Sequence, residues 1–419
     1  MKLFIKRDGV IVDPERYKWR ALGGAIAGHL FDAADFMILA LIIPLIIQEW
    51  NISLAAAGSV AMTTLFGAAI GAYIWGPLAD KIGRKYSSGL CVTAFSLLSF
   101  LCGLAQSWEQ LLVLRFITGL GLGGQWVLSA ALVTEYFPPH QRARATAVVQ
   151  VAWPVGFALI IAANLVITPL YGWRYLFFLE ILGVFALVYF VFFVPETPAW
   201  LKARENRAKG IAGKSTNIAK AVKWTELFKG ANRRVLLLAF GLCLCMSVAY
   251  WGTGAWMPAF LAQERGLNIK GLTWLLIAQQ GTALISFVIF GFIADKIGRR
   301  ANFIIGGIAS AIAIVLYMLA PTYGLIFAAA LLWAMAMTGF WGPLPATIAE
   351  QFSTDVRGIG VSLSYATARV GTAFAPFVVG SLADYTSLAF ALGFMALFYL
   401  GAAIFGYLMK ETKDTIVVD

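Results

Sequence analysis

The chain has 419 residues, of which 60% are hydrophobic and only 13% carry a charge. Soluble domains carry about 25% charged residues, so this composition excludes an ordinary soluble protein and indicates a lipid bilayer as the surrounding medium. The formal net charge of +11 does not indicate a nucleic-acid partner, because the basic residues form short clusters between apolar runs with no aromatic residues interleaved.

The N-terminal stretch (residues 1–20) is polar and lacks the short apolar core and small-residue cleavage site of a signal peptide, so the first apolar run should itself direct insertion. Runs of roughly 20 apolar residues, the length that crosses a bilayer as a helix, then occur as six plus six. Their bounds are 21–48, 54–79, 87–107, 110–135, 145–170, 174–195, 235–262, 271–294, 301–320, 323–349, 358–383 and 387–409. The sequence therefore predicts an all-α polytopic membrane protein with twelve transmembrane helices.

The positions of lysine and arginine predict the topology. With both termini in the cytoplasm, 27 of the 32 basic residues lie in cytoplasmic segments and three on the opposite side. The short loops are typical of a bacterial inner-membrane protein, and we expect a monomer. Within the long polar connection, residues 218–228 have apolar side chains at helical spacing, so this part is either a membrane-surface helix or a solvated linker.

An internal repeat relates the two groups of six helices. G-P-L-A-D-K-I-G-R-K at 76–85 recurs as G-F-I-A-D-K-I-G-R-R at 291–300, an offset of 215 residues. The same offset relates three further sites: Glu135 to Glu350, Arg142 to Arg357, and Glu196-Thr197 to Glu411-Thr412. The repeat predicts an N-terminal six-helix half (1–198), a cytoplasmic linker (199–234) and a homologous C-terminal half (235–419) in the same orientation.

The duplicated G-x-x-A-D-x-x-G-R-K loop, together with L-x-x-x-R-x-x-T-G-x-G at 111–121, resembles the signatures of the major facilitator superfamily along nearly the whole chain. The resemblance implies the major facilitator fold and transport by alternating access. It also implies a cytoplasmic gate of charged residues, formed by Asp80, Arg84, Glu135, Arg142, Asp295, Arg299, Glu350 and Arg357. The alternative, that these charges only set the topology, does not explain the repeated acids.

Ionisable residues inside the apolar runs are the strongest functional candidates, because a charge at the bilayer centre costs at least about 2.5–3.5 kcal/mol. Asp32 and Asp35 are three residues apart on one helical face, and Asp32 lies about 18 Å beyond Arg20 at the cytoplasmic edge. Two carboxylates this close do not both ionise easily, so the pair is predicted to bind protons reversibly. For either acid alone, permanent pairing with an arginine is the alternative.

Two arginines also lie within the spans. Arg369 is about 18 Å beyond Arg357, and Arg115 lies nearer the outer end of the fourth span. Because a guanidinium suits a carboxylate, two arginines and two acids predict an organic anion carried together with protons. Weaker substrate-binding candidates, each of which could instead bond or pack against another helix, are His29, Gln125, Trp126, Gln279, Gln280 and Trp341.

The D-x-x-D spacing in the first span, with arginines in the fourth and eleventh, is similar to the aromatic acid:proton symporter family. The resemblance implies that Asp32 and Asp35 are the essential acid pair and that Arg115 and Arg369 are the membrane arginines. Ala33 stands where that family usually has glycine, a change that alters the shape of the cavity. The expected substrate is an aromatic acid or another monocarboxylate.

The alternatives are a proton symporter for a sugar or other neutral solute and, less favoured, a drug:proton antiporter. P-E-T-P-A-W-L at 195–201 resembles a sugar-porter ending, but an uncharged sugar has little use for Arg369. A sensor that does not transport is disfavoured by the acid pair. We expect no enzyme, metal or cofactor other than protons as the coupling ion, because no nucleophile–base set, phosphate loop or metal-ligand cluster occurs. Glu180, in the sixth span, has no role in this interpretation.

Overall fold

The computed structural model describes residues 5–7, 10–12, 14–208, 227–352 and 356–412. Near the N-terminus, β1 (Ile5–Arg7) and β2 (Val10–Val12) form an antiparallel hairpin with Ile5 opposite Val12. The sequence predicts this stretch only as polar, so the hairpin is an addition. All the longer elements that the structure describes are helices.

The helices of the first half follow the predicted runs, with extensions at several ends. They are α1 (Pro14–Trp50), α2 (Leu54–Ile82), α3 (Arg84–Cys102), α4 (Trp108–Tyr136), α5 (Pro139–Tyr171), α6 (Arg174–Phe178), α7 (Phe185–Phe193) and α8 (Pro198–Ala208). A 3₁₀ segment, Leu179–Val184, joins α6 to α7. The sixth predicted span is therefore one apolar run with a change of helix type in its middle.

The helices of the second half are interrupted more often. They are α9 (Gly230–Gln263), α10 (Ile269–Ile297), α11 (Arg299–Leu319), α12 (Tyr323–Gly339), α13 (Leu344–Gln351), α14 (Arg357–Ala373), α15 (Ala375–Tyr385), α16 (Leu388–Phe394) and α17 (Ala396–Leu408). The predicted tenth span is broken at residues 340–343, which include Pro343. Proline has no N–H to donate and favours the start of a helix, so the chain restarts as α13.

Within the described residues, 11 helical stretches are long and apolar enough to cross a membrane. The predicted tenth span is not among them, because its longer piece, α12, has only 17 residues. α12 and α13 together nevertheless cover the predicted run at 323–349. The structure is thus consistent with twelve membrane helices, of which the tenth is broken at residues 340–343.

The chain divides into two compact units, Met1–Leu39 with Phe66–Lys220, and Ala40–Leu65 with Ala221–Asp419. The end of α1 and the start of α2 therefore pack within the second unit. Of the predicted linker, the structure describes residues 199–208 and 227–234. Most of the predicted surface helix, residues 218–226, lies outside the described residues.

A helix cap fixes the start of α2 within the second unit. The backbone N–H groups of Leu54 and Ala55 donate to the two carboxylate oxygens of Asp384 in α15, each at 2.9 Å. Ser53 Oγ accepts from the next N–H group, that of Ala56, at 3.1 Å. An acid at this position satisfies orphan N–H groups and also complements the positive end of the helix dipole.

Replacing Asp384 with alanine should lower the free energy of unfolding by about 1 kcal/mol, because two N–H groups lose their acceptors at an exposed site. Asp384→Asn keeps one acceptor oxygen and should cost less. Thermal unfolding of the purified protein, followed by tryptophan fluorescence, measures both changes. Equal midpoints for wild type and Asp384→Ala would show that the cap contributes nothing to stability.

Candidate functional site

The most completely buried charged pair joins α1 to α4. Arg115 Nη1 donates to Asp35 Oδ1 and Nη2 to Oδ2, both at 2.8 Å, and both side chains are 0% exposed. The Ser99 hydroxyl in α3 also donates to Asp35 Oδ1. Asp35 is thus paired with an arginine in this structure. Proton binding by Asp35 and substrate binding by Arg115 remain predictions.

The surroundings of Arg115 explain how a guanidinium is accommodated inside the bundle. Its Cζ lies 5.8 Å from the ring centroid of Phe177 at the end of the sixth span's first helix, α6, a distance typical of a cation–π contact. A bidentate ion pair and an aromatic face together offset part of the cost of removing the charge from water. The pair therefore joins α1, α3, α4 and α6 in one charge-neutral cluster.

The second acid of the predicted pair, Asp32, is also buried. His29 Nδ1 lies 3.8 Å from Asp32 Oδ2, one helical turn away along α1. The His29 ring is packed against Trp153 of α5, with 5.3 Å between the ring centroids. His29 and Asp32 thus form a second polar group on α1, and their roles in proton and substrate binding remain predictions.

Arg369, in α14, is in a different situation from Arg115. It is half-buried, and its Cζ lies 5.7 Å from the ring centroid of Tyr365, one helical turn away. Among the residues that the structure describes, no carboxylate forms an ion pair with Arg369. The C-terminal half therefore contains a membrane arginine whose charge no described side chain neutralises.

The two buried glutamine candidates bond within their own halves. Gln125 Nε2 donates to Ser129 Oγ at 2.9 Å along α4, and Gln279 Nε2 in α10 donates to the Ala330 carbonyl at 3.4 Å. Gly28 lets α1 approach α4 closely, because a side chain there would overlap with Gln125. Packing thus accounts for the position of Gln125.

The remaining candidates are partly exposed. Trp341 lies in the break between α12 and α13, with its ring centroid 5.6 Å from that of Tyr250 in α9. Trp126 and Gln280 are half-buried on α4 and α10. Contact of Trp341, Trp126 and Gln280 with substrate remains a prediction.

The predicted gate residues form a cluster within each half. In the first, Arg84 Nη1 donates to Asp80 Oδ1 at 2.6 Å and Arg84 Nε to Glu135 Oε1 at 2.8 Å. In the second, Arg299 Nε lies 3.5 Å from Glu350 Oε2. The repeat therefore places an arginine against a glutamate at the same position of both halves.

The other gate residues are less informative. Arg142 is exposed, and its Nε donates to the Phe137 carbonyl at 3.1 Å. The side chains of Asp295 and Arg357 lie outside those that the structure describes. The predicted gating roles of all these residues remain predictions.

The repeated Glu-Thr pair acquires a structural role that the sequence does not assign. Glu196 Oε1 accepts from the backbone N–H groups of Arg84 at 2.9 Å and Lys85 at 3.2 Å, which caps α3. Thr197 Oγ1 donates to Glu135 Oε2 at 2.5 Å. Burial raises the pKa of the Glu196 carboxyl, although backbone N–H donation opposes the change.

The C-terminal half repeats this arrangement. Glu411 accepts from the N–H groups of Arg299 at 2.8 Å and Arg300 at 3.0 Å, and Thr412 Oγ1 donates to Glu350 Oε2 at 2.5 Å. Each cap follows a glycine in the left-handed region, Gly83 with φ of 101° and Gly298 with φ of 108°. A side chain at either glycine would overlap with the capping carboxylate. The 215-residue repeat thus extends to the helix caps.

Two residues of the buried cluster are missing from the predicted site. Ser99 gives only a weak sequence signal, as one of several serines in an apolar run. Glu180 is visible as an acid inside a span, but the sequence assigns it no neighbour. In the structure it is 2% exposed, and its electrostatic neighbours are Asp35, Arg115 and Asp32.

A bundle of apolar helices in two related halves, with ionisable side chains buried in its spans, defines a polytopic membrane transporter. Residues 25–279 and 260–417 match the Major Facilitator Superfamily, and the chain belongs to that family. The predicted superfamily and fold are thereby confirmed.

Relatives over nearly the full length are named as transporters. The chain is 32% identical to the cis,cis-muconate transport protein of Acinetobacter baylyi over 389 residues, covering 91% of this chain and 90% of that protein. It is 30% identical to the sialic acid transporter NanX of Escherichia coli, with 91% of each covered, and 26% identical to the benzoate transport protein of A. baylyi, covering 87% and 84%. These relatives fit the predicted aromatic and organic acid group and agree with the expectation that the chain is not an enzyme.

Solved structures agree in fold. The inward-open xylose transporter XylE from E. coli superimposes with a TM-score of 0.74 at 21% identity, covering 96% of this chain and 98% of that one. A bacterial homologue of the human lysosomal transporter Spinster gives a TM-score of 0.75 at 19% identity, covering 94% and 96%. At these identities the likeness concerns the fold alone.

Proposed function

We propose that the protein takes up an organic anion, an aromatic acid or another monocarboxylate, together with protons by alternating access. Arg369 is the observation that carries the proposal. A membrane arginine without a carboxylate partner among the described residues is costly to maintain, and a substrate carboxylate can supply the missing charge. Arg115 is less suited to this role, because Asp35 already neutralises it.

The named relatives support a carboxylate substrate. Muconate and benzoate, which two of the bacterial relatives are named for transporting, both carry a carboxylate group. A guanidinium can bind such a group through two parallel hydrogen bonds. The proposed binding residue is therefore Arg369, with the neutral candidates of the same half, Gln279, Gln280 and Trp341, shaping the rest of the site.

Proton coupling is assigned to the buried acids of the first half, which include Asp32 and Asp35 of α1. Asp32 lies beside His29. One of these buried acids accepts a proton from the outer side, while the substrate anion neutralises Arg369. With both charges cancelled, the halves can rearrange without moving net charge through a medium of low dielectric. One proton per monoanion makes this cycle electroneutral, whereas two would add one charge, worth about 2.3 kcal/mol per 100 mV.

The placement in the cell belongs to the same proposal. The charge distribution and the bacterial relatives support a bacterial inner membrane with both termini in the cytoplasm, and we propose a monomer. The clusters around Arg84 and Arg299 would then lie at the cytoplasmic ends of the halves and act as the gate. Their pairs rearrange when the cytoplasmic side opens.

The proposal is tested by recording external pH in lightly buffered proteoliposomes while single solutes are added. The panel contains benzoate, a hydroxybenzoate, cis,cis-muconate, lactate, a sialic acid and xylose. We expect the external medium to become more alkaline with one class of acid and to stay unchanged with xylose, because protons enter with the anion. A response to xylose alone would establish the neutral-solute alternative.

A further inference from the structure

The middle of the sixth span brings a carboxyl group to the buried cluster. The change from α-helix to 3₁₀ helix at Leu179–Val184 is of a kind that often marks a functional segment. Gly183 has no space for a side chain, because a Cβ there would overlap with Ser96 Oγ of α3. The segment therefore lies directly against α3, and Glu180, at its start, is 2% exposed.

The hydrogen bonds described for this cluster reach the carboxylate of Asp35 but not Oε2 of Glu180. Asp35 receives both Nη groups of Arg115 and the hydroxyl of Ser99. Glu180 Oε2 is buried and accepts no hydrogen bond from the part of the chain that the structure describes. The single guanidinium charge of Arg115 thus lies near two carboxyl groups, those of Asp35 and Glu180. It is already paired with Asp35.

Among the residues that the structure describes, Arg115 is the one cation that is an electrostatic neighbour of Glu180. Besides Asp35 and Arg115, Asp32 of α1 is within electrostatic reach. α3 contributes no charged residue after Lys85. The titratable groups of the packed elements include His29, Asp32 and Asp35 of α1, Tyr86, Cys91 and Cys102 of α3, Arg115 of α4, and Arg174, Tyr175 and Tyr189 of the sixth span.

We propose that Glu180 is the residue that reversibly binds the transported proton, while Asp35 serves as the fixed counter-ion of Arg115. An ionised carboxylate without donors is far more costly at this depth than the neutral acid, so Glu180 holds a proton whenever Arg115 is bound to Asp35. The proton adds to a Glu180 oxygen from the outer side. It leaves to the inner side when Arg115 shares its donors between Asp35 and Glu180.

This inference rests on the proposed function for its place in the cycle, but proton binding by Glu180 can be measured without transport. The probe is the infrared C=O stretching band of a protonated carboxylic acid, recorded in purified protein as a function of pH. We expect the band in wild type, its loss in Glu180→Gln, and its retention in Asp32→Asn and in the control Glu109→Gln, whose carboxyl is exposed at the start of α4. An unchanged band in Glu180→Gln overturns the assignment.

A conservative variant tests the assignment even if Glu180→Gln does not fold. Glu180→Asp keeps the carboxylic acid but withdraws it by one methylene, so the band should remain with a shifted frequency and a shifted titration midpoint. A band and midpoint identical to those of wild type would place the proton on another residue.

Transport assays then distinguish failure of this inference from failure of the proposed function. With benzoate as substrate, Glu180→Gln should lose external alkalinisation and accumulation but keep exchange of labelled for unlabelled benzoate, because glutamine mimics the protonated acid. Wild-type accumulation with proton uptake in Glu180→Gln would refute the coupling role. If wild type itself takes up no protons with any acid, the proposed function fails, while the infrared result still decides where the proton binds.

Discussion

Replacing Arg369 with alanine should reduce carboxylate binding by about 100-fold, equivalent to about 3 kcal/mol, because a charge-assisted bond to the substrate is lost. Stability should not fall, since no described carboxylate pairs with Arg369 and the truncation leaves no buried partner behind. Arg369→Lys keeps the charge but not the planar fork, so an intermediate loss is expected. Uptake of labelled benzoate as a function of concentration, together with thermal unfolding, measures both effects.

A matched control is available on α10. Lys270 is exposed in the first turn of that helix, and Lys270→Ala removes one positive charge without touching the spans. Its uptake should equal that of wild type. Wild-type affinity in Arg369→Ala would remove the main support for an anionic substrate.

The second large effect concerns stability. Arg115→Met should destabilise the protein by about 3–5 kcal/mol, because it leaves the Asp35 carboxylate buried without its cation. The double variant Arg115→Met with Asp35→Leu should recover much of this loss, since neither charge then needs a partner. The four proteins of this cycle are compared by thermal unfolding in the same detergent.

An exposed ion pair provides the contrast for the buried one. The side chain of Asp80 is 66% exposed in its pair with Arg84, so Asp80→Ala should cost less than about 1 kcal/mol. If Arg115→Met were no more destabilising than the double variant, the interaction between Arg115 and Asp35 would not contribute to stability. Both residues would then be free to act in binding.

The breaks within the spans show where sequence reasoning is limited. The apolar runs predict the spans because every backbone polar group in a bilayer must be bonded within a helix. The same runs do not reveal the 3₁₀ segment at Leu179–Val184, because hydropathy does not distinguish a 3₁₀ helix from an α-helix. Pro343 signals the break in the tenth span, and Pro376, in the first turn of α15, signals the break at Phe374 in the eleventh.

The capping glutamates show the opposite case. The sequence relates Glu196 to Glu411 through the repeat. In the structure, both cap a helix: Glu196 caps α3 and Glu411 caps α11. The repeat could establish that the two positions are equivalent. The repeat could not establish that the glutamates cap helices, because each glutamate is more than a hundred residues from the N–H groups that it caps.

The sequence by itself determined the twelve spans, the duplicated half, the superfamily and the position of each membrane charge along its span, because these depend on composition and on distance along the chain. The tertiary structure decided the partners. Asp35 is bound to Arg115, 80 residues away, whereas Arg369 has no described carboxylate partner and Glu180 lies beside the occupied pair. Which charges meet depends on how helices pack, and helix packing is set by close contacts such as that of Gly183 with Ser96 rather than by hydropathy.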